Sequence, residues 1–168
     1  MSCVEERVRV RDYGVLPGDS PLLVPVATCP GKQPQRLHVL AAGDFARMAD
    51  ACERDLGISL LAASGWREHR WASRDQYEHF LVAKYGSVER GRVFLAFDSP
   101  HETGLAVDLG CGGLEPKSAT AAEQKKTNLY RWLVEHACEY GFHPYLVEPW
   151  HWEHPLSATS YASGVADG

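Results

Sequence analysis

The stretch S-P-H-E-T-G-L-A-V-D, Ser99 to Asp108, decides how this chain is read. It sets an imidazole, His101, seven positions ahead of a carboxylate, Asp108. Gly104 reads as a turn and Leu105 to Leu109 as a short apolar strand. A turn and a strand can bring Asp108 back toward His101. Further along, E-P-W-H (Glu148 to His151) places a second acid three positions ahead of a second imidazole. Two histidines and one aspartate make a three-ligand shell that leaves one corner of a tetrahedral Zn²⁺ open for water. An acid beside that corner can move protons during metal-assisted hydrolysis. In a fully extended strand Glu148 and His151 face opposite ways, so a bulge or twist is expected near Pro149.

Working outward, Asp44 reads as an N-cap followed by Phe45, Met48, Ala49, Cys52 and Leu56 at helical spacing, with Gly57 as the stop. Ile58 to Ala63 is short and apolar, like a buried strand. Ser73 and Gln76 have capping-box spacing and open a helix through Lys84 that Gly86 ends. Val93 to Phe97 is apolar enough for a strand. The clearest helix runs from Thr120 to Tyr140, with Leu129, Trp132, Leu133, His136, Ala137 and Tyr140 on one face. Tyr145 to Trp152 reads as a final strand. The leading segment is broken by Pro17, Gly18, Pro21, Pro25, Pro30, Gly31 and Pro34.

The expected organisation is therefore an irregular arm over residues 1–43 with one or two brief strands, a core over 44–156 and a flexible tail over 157–168. Helices and short strands without regular alternation give an α+β single domain. A small, mostly antiparallel sheet flanked by helices would carry the zinc site.

At 168 residues, with 45% hydrophobic and 23% charged residues, the chain is the size and composition of one globular domain. A formal net charge of −5 gives no pull toward nucleic acid. No membrane span is expected, since no apolar stretch reaches 18 residues. Met1 to Asp12 is charged and lacks the apolar core of a signal peptide. As written, the chain is expected in the cytoplasm unless other means release it. Five scattered cysteines, without a C-x-x-C pair, argue against a disulfide scaffold; Cys52 and Cys138 fall on apolar helical stripes as small hydrophobes.

Among eight histidines, His38, His69, His79 and His136 are expected to be incidental. His143 is left open. His154 lies close enough to His151 to compete as a ligand or to support one. Glu102 and Glu153 are candidates to accept hydrogen bonds from the ligand rings. No H-E-x-x-H helix is present.

The run S-x-H-x-x-G-x-x-x-D followed by E-P-W-H resembles the zinc D-alanyl-D-alanine carboxypeptidase and dipeptidase family, which includes phage L-alanyl-D-glutamate endopeptidases. Ser64-Gly65-Trp66-Arg67 with Gln76 resembles the family's S-G-Y-R-S…Q segment, and Trp132 to Phe142 its helix before the last strand. The resemblance covers residues from about 40 to 154. It implies one Zn²⁺ held by His101, Asp108 and His151, with Glu148 as catalytic base. Arg67 would sit over the scissile carbonyl, though its fork suits a substrate carboxylate equally. Ser99 and Gln76 would help hold the substrate. Trp150 and Trp152, near the second motif, are further candidates for substrate contact.

Two departures stand out. Trp66 replaces Tyr and Glu68 replaces Ser, and the segment between Phe142 and Glu148 is short. The implied partner is a peptidoglycan stem peptide or another peptide ending in D-alanyl-D-alanine. Two alternatives remain: endopeptidase cleavage, and a non-catalytic hedgehog-like zinc domain, which the presence of Glu148 and Arg67 disfavours.

Overall fold

The computed structural model describes Cys3, residues 10–110 and residues 114–167. Two short strands in the leading segment, β1 (Leu23–Pro25) and β2 (Arg36–His38), pair antiparallel. They feed directly into helix α1 (Val39–Leu56). This helix starts earlier than its sequence suggests, because its cap is a histidine. His38 Nδ1 accepts the Leu40 N–H at 3.2 Å while its Nε2 faces the Tyr161 carbonyl at 2.9 Å. Asp44, the expected cap, lies inside the helix and binds Arg47 and His154. Gly57 ends it as expected, in the left-handed region.

Strand β3 (Ala62–Ser64) follows, then α2 (Arg74–Tyr85), capped by Ser73 and ended by Gly86 as the sequence indicates. A one-turn helix, α3 (Val88–Gly91), comes next. The strand expected over Val93 to Phe97 is absent: Val93 and Phe94 are exposed, and Phe94 stacks on Tyr85. An apolar segment becomes a strand only where a partner offers its backbone. Here Trp71, Tyr77 and Leu81 form their own small cluster, against which Leu95 and Phe97 pack.

A 3₁₀ turn (Pro100–Thr103) leads into β4 (Ala106–Leu109). The long helix expected from Thr120 to Tyr140 is instead broken into α4 (Ala121–Gln124) and α5 (Asn128–His136), closed by a 3₁₀ turn over Ala137–Tyr140. Thr127 causes the break. Its hydroxyl donates to the Gln124 carbonyl at 2.7 Å and accepts the Tyr130 N–H at 3.1 Å, so it caps a new helix. The single final strand is a hairpin of β5 (His143–Tyr145) and β6 (Glu148–Glu153).

Residues after Pro155, expected to be flexible, form α6 (Ala158–Ser163). Tyr161 anchors it by stacking on His38 and donating to the Gly14 and Thr103 carbonyls. Gly112 and Gly113, expected to break the strand after Leu109, lie with Cys111 outside the described residues.

The central sheet has the order β3-β4-β6-β5 with antiparallel neighbours. The α+β class is as read. Val107 and Leu109 of β4 and Trp152 of β6 bury their side chains in one core with Phe45 and Met48 of α1 and with Leu129 and Leu133 of α5. Each fully buried large side chain contributes roughly 1.5–3 kcal/mol of transfer free energy. One expectation about cysteine fails. Cys3 and Cys138 form a disulfide that ties the start of the chain to the turn after α5, whereas Cys52 is a buried free thiol, as expected. Sequence spacing could not show this pairing, because 135 positions separate its partners.

Candidate metal centre

Period-two alternation turns Val107 and Leu109 into the core and leaves Ala106 and Asp108 on the other face of β4. Asp108 stands opposite His151 on β6 and opposite Ser64 on β3. Directly paired residues in an antiparallel sheet bring their Cβ atoms within about 5 Å. One row across three strands therefore reads Ser64, Asp108, His151.

His101 reaches this row from outside the sheet. Its 3₁₀ turn begins with a capping box, in which the Ser99 hydroxyl accepts the His101 N–H at 3.3 Å and Glu102 accepts the Ser99 N–H at 2.6 Å. Gly104 then reverses the chain at φ +76°, where an added Cβ would lie 2.9 Å from the His38 nitrogen. Only glycine satisfies both demands.

His101, Asp108 and His151 are all buried, and their donor atoms lie within 4.8 Å of one another. Asp108 Oδ1 is 3.2 Å from His101 Nε2 and 3.0 Å from His151 Nδ1. Donors around a tetrahedral Zn²⁺, with bonds of about 2.0–2.1 Å, stand about 3.3 Å apart. The opposite nitrogen of each ring is engaged elsewhere. His101 Nδ1 donates to the Gly65 carbonyl at 2.8 Å, and His151 Nε2 donates to Glu153 Oε2 at 3.1 Å. A carbonyl only accepts, so His101 Nδ1 carries a proton and Nε2 is the nitrogen left for a metal; His151 Nε2 is likewise committed to Glu153, which leaves its Nδ1. The donor set fits zinc.

Gly65 holds its place because an added Cβ would lie 2.4 Å from the Arg36 carbonyl of β2.

Electrostatics follow from this crowding. Burial opposes ionisation of Asp108, but hydrogen bonds and charge from His101 and His151 outweigh it and hold the carboxyl far below its ordinary range. Burial alone would lower the His151 pKa; bonds to Asp108 and Glu153 instead push it up to about 9. Glu153 is also held below its ordinary value, against burial, by His151 and by the Val10 N–H. Two carboxylates, Asp108 and Glu153, thus bracket the His151 ring, one on each of its nitrogens.

Arg67 closes the other side. Its Nε donates to Ser64 Oγ at 2.9 Å and one terminal nitrogen donates to Asp108 Oδ2 at 2.9 Å. Half of its side chain remains exposed, which leaves donors for a further partner. The expected irregularity near Pro149 is present: β5 pairs Pro144 with Trp152 but Tyr145 with Glu148, so residues 149–151 bulge against β5. Glu148 opens β6 three positions before His151.

Other sequence candidates are placed differently. Ser99 lines a cavity of about 280 Å³ together with Asp12, Gly14, Val15, Asp98 and Glu102. Gln76 is exposed in the first turn of α2, where its Oε1 accepts the Ala72 N–H at 2.6 Å. Trp150 is largely buried. Trp152 is corrected: its ring is fully buried in the core and offers no surface to a ligand. His154 turns from the centre to Asp44 Oδ2 at 2.6 Å. Of the two proposed ring partners, Glu153 takes His151, whereas Glu102 binds His69 rather than His101. Val10 was invisible as a contributor in the sequence, and Ser64 and Gly65 stood there only as part of the segment that carries Arg67, because Val10 and Gly65 act through backbone atoms.

Known proteins resemble the chain both in sequence family and in fold. A family model described as VanY, D-alanyl-D-alanine carboxypeptidase, matches residues 34–155. Among solved structures, the LdcB LD-carboxypeptidase, described as revealing the basis of peptidoglycan recognition, superposes with TM-score 0.64 at 25% identity, over 90% of this chain and 78% of that one. A VanY D,D-pentapeptidase from a vancomycin resistance cassette, solved with Zn(II), gives TM-score 0.51 at 22% identity, over 95% of this chain and 94% of the other. VanYB in complex with D-Ala-D-Ala gives 0.53 at 22%, over 95% and 93%. The last two show a shared fold. No curated protein sequence matches the chain.

Proposed function

Since the chain belongs to the VanY D-alanyl-D-alanine carboxypeptidase family, we propose that it is a zinc peptidase that removes the terminal D-alanine from peptidoglycan stem peptides. The observation that carries this reading is the convergence of His101 Nε2, Asp108 Oδ1 and His151 Nδ1, with each ring's outer nitrogen already committed. His101, Asp108 and His151 would hold a zinc ion, which would make water a nucleophile at neutral pH by lowering its pKa to about 7.

The chain's own groups account for the rest. Glu148 accepts the proton of the attacking water and returns it to the departing amine. Arg67, held by Ser64 and Asp108, offers its remaining N–H groups to the oxygen that gains charge as the carbonyl is attacked. Ser99, two positions before His101, and Gln76 position the peptide. A disulfide suits an oxidising compartment, which agrees with a substrate outside the cytoplasm.

The test is incubation with stem pentapeptide, stem tetrapeptide and whole peptidoglycan, with and without a chelator, read by mass spectrometry. Chelator-sensitive release of D-alanine from the pentapeptide is expected. Release from the tetrapeptide alone would make it an LD-carboxypeptidase, and internal fragments an endopeptidase. No cleavage of any of them would favour a zinc-bearing binding domain.

A further inference from the structure

Three hydrogen bonds from the leading segment end on the three runs that build the metal centre. The Val10 N–H donates to Glu153 Oε1 at 3.0 Å, and the other oxygen of that carboxylate takes His151 Nε2. The Leu16 N–H donates to the Glu102 carbonyl at 2.9 Å, one residue past His101. The Leu16 carbonyl accepts Trp66 Nε1–H at 3.0 Å, one residue before Arg67. Between these ties, Tyr13 donates its hydroxyl to the Leu156 carbonyl at 2.6 Å, and Asp12, Gly14 and Val15 wall the cavity shared with Ser99. Val10 is fully buried, and upstream of it the chain is bonded to Cys138 through Cys3.

We infer that Val10–Leu16, secured by the Cys3–Cys138 disulfide, is a clasp that sets the metal affinity of the site, acting through Glu153 on His151. Glu153 is a positioning residue. Its two oxygens have different tasks: one is fixed by a backbone N–H from the clasp, and the other fixes the imidazole whose Nδ1 faces Asp108. A carboxylate behind a ligand histidine orients the ring and raises its basicity, and its loss typically costs about 10- to 100-fold in metal affinity. A carboxylate held from only one side keeps its charge but loses its aim. The arm thereby gains a purpose that its proline-broken sequence does not show.

The inference rests on the metal-site reading but not on any substrate, and its test reads zinc affinity by competition with a chromophoric chelator. Glu153→Ala is expected to weaken zinc about 10- to 100-fold. Cys3→Ser is expected to weaken it roughly three- to tenfold, the scale of one hydrogen bond. The deciding measurement is the double variant. If the clasp acts through Glu153, adding Cys3→Ser to Glu153→Ala lowers the melting temperature further yet leaves zinc affinity unchanged.

Equal zinc losses in both backgrounds, or no loss from Cys3→Ser alone, would overturn the inference. Should Cys3→Ser not fold, Val10→Pro removes the donor N–H with the disulfide intact, at a residue whose φ of −92° lies near proline's range. Unchanged zinc affinity in Val10→Pro would overturn it equally. The ligand-field spectrum of the cobalt-loaded protein gives an independent signature: it shifts in Glu153→Ala, and adding Cys3→Ser to that variant moves it no further; a further shift would overturn the inference.

Discussion

Arg67 and His151 share Asp108, each on a different oxygen: the guanidinium takes Oδ2 at 2.9 Å and the imidazole Nδ1 meets Oδ1 at 3.0 Å. One carboxylate thus links the buried His151 ring to the half-exposed guanidinium of Arg67. Its position in the middle of a three-strand row makes this possible, since Ser64 and His151 flank it in register. Changes at Asp108 should therefore be felt on both sides.

Asp108→Ala and His101→Ala are expected to lose zinc and thermal stability together, because metal binding to the folded state is folding free energy. At a free zinc concentration a thousandfold above Kd the ion contributes about 4 kcal/mol. Elemental analysis and melting curves with and without chelator measure both. Full occupancy in either variant would remove that residue from the ligand set.

Glu148→Gln should behave differently. The amide keeps the side chain's shape but cannot take a proton, so zinc content should stay at the wild-type level while turnover falls at least about 100-fold. Turnover at the wild-type rate would mean that another group is the base.

For Arg67→Ala a loss of about 10²–10³ in kcat/KM is expected, the usual effect of removing one donor to a developing oxyanion. Arg67→Lys should recover little of it. A single ammonium cannot hold Ser64 Oγ and Asp108 Oδ2 in the fixed fork that Arg67 uses. Recovery to within twofold by lysine would show that charge alone matters.

His38 predicts an acid-sensitive fold. Burial lowers its pKa from the ordinary 6.5, only partly offset by its bond to the Tyr161 carbonyl, and its Nδ1 must stay unprotonated to cap α1. Below pH 6.5 the unfolded chain takes up a proton that the folded chain refuses, so stability falls as pH drops from 6.5 toward the folded pKa. His38→Asn keeps a capping side chain without a titrating group. Denaturant midpoints from pH 8 to 5 should show the wild type losing more stability than the variant; parallel curves would rule out His38.

Much of the centre was legible because its chemistry needs particular side chains at short range. His101 and Asp108 sit on either side of one turn, and the bulge near Pro149 follows from period-two alternation conflicting with the Glu148–His151 spacing. Helix α2 was equally plain, since Ser73 and Gly86 mark its ends locally. Helix α1 was misplaced because a histidine caps it with help from Tyr161, more than a hundred positions away. Trp152 looked like a ligand contact because a sequence does not say which face of β6 meets the core.

By itself the sequence determined the α+β class and singled out His101, Asp108 and His151, with Glu148 three positions before the last, as the residues of one centre, since residue type and local period carry that information. The tertiary structure alone decided that β4 places Asp108 between Ser64 and His151, that Cys3 finds Cys138, and that an irregular arm reaches Glu153. Those are long-range pairings, fixed by how the buried faces of distant segments pack together, and no local pattern records them.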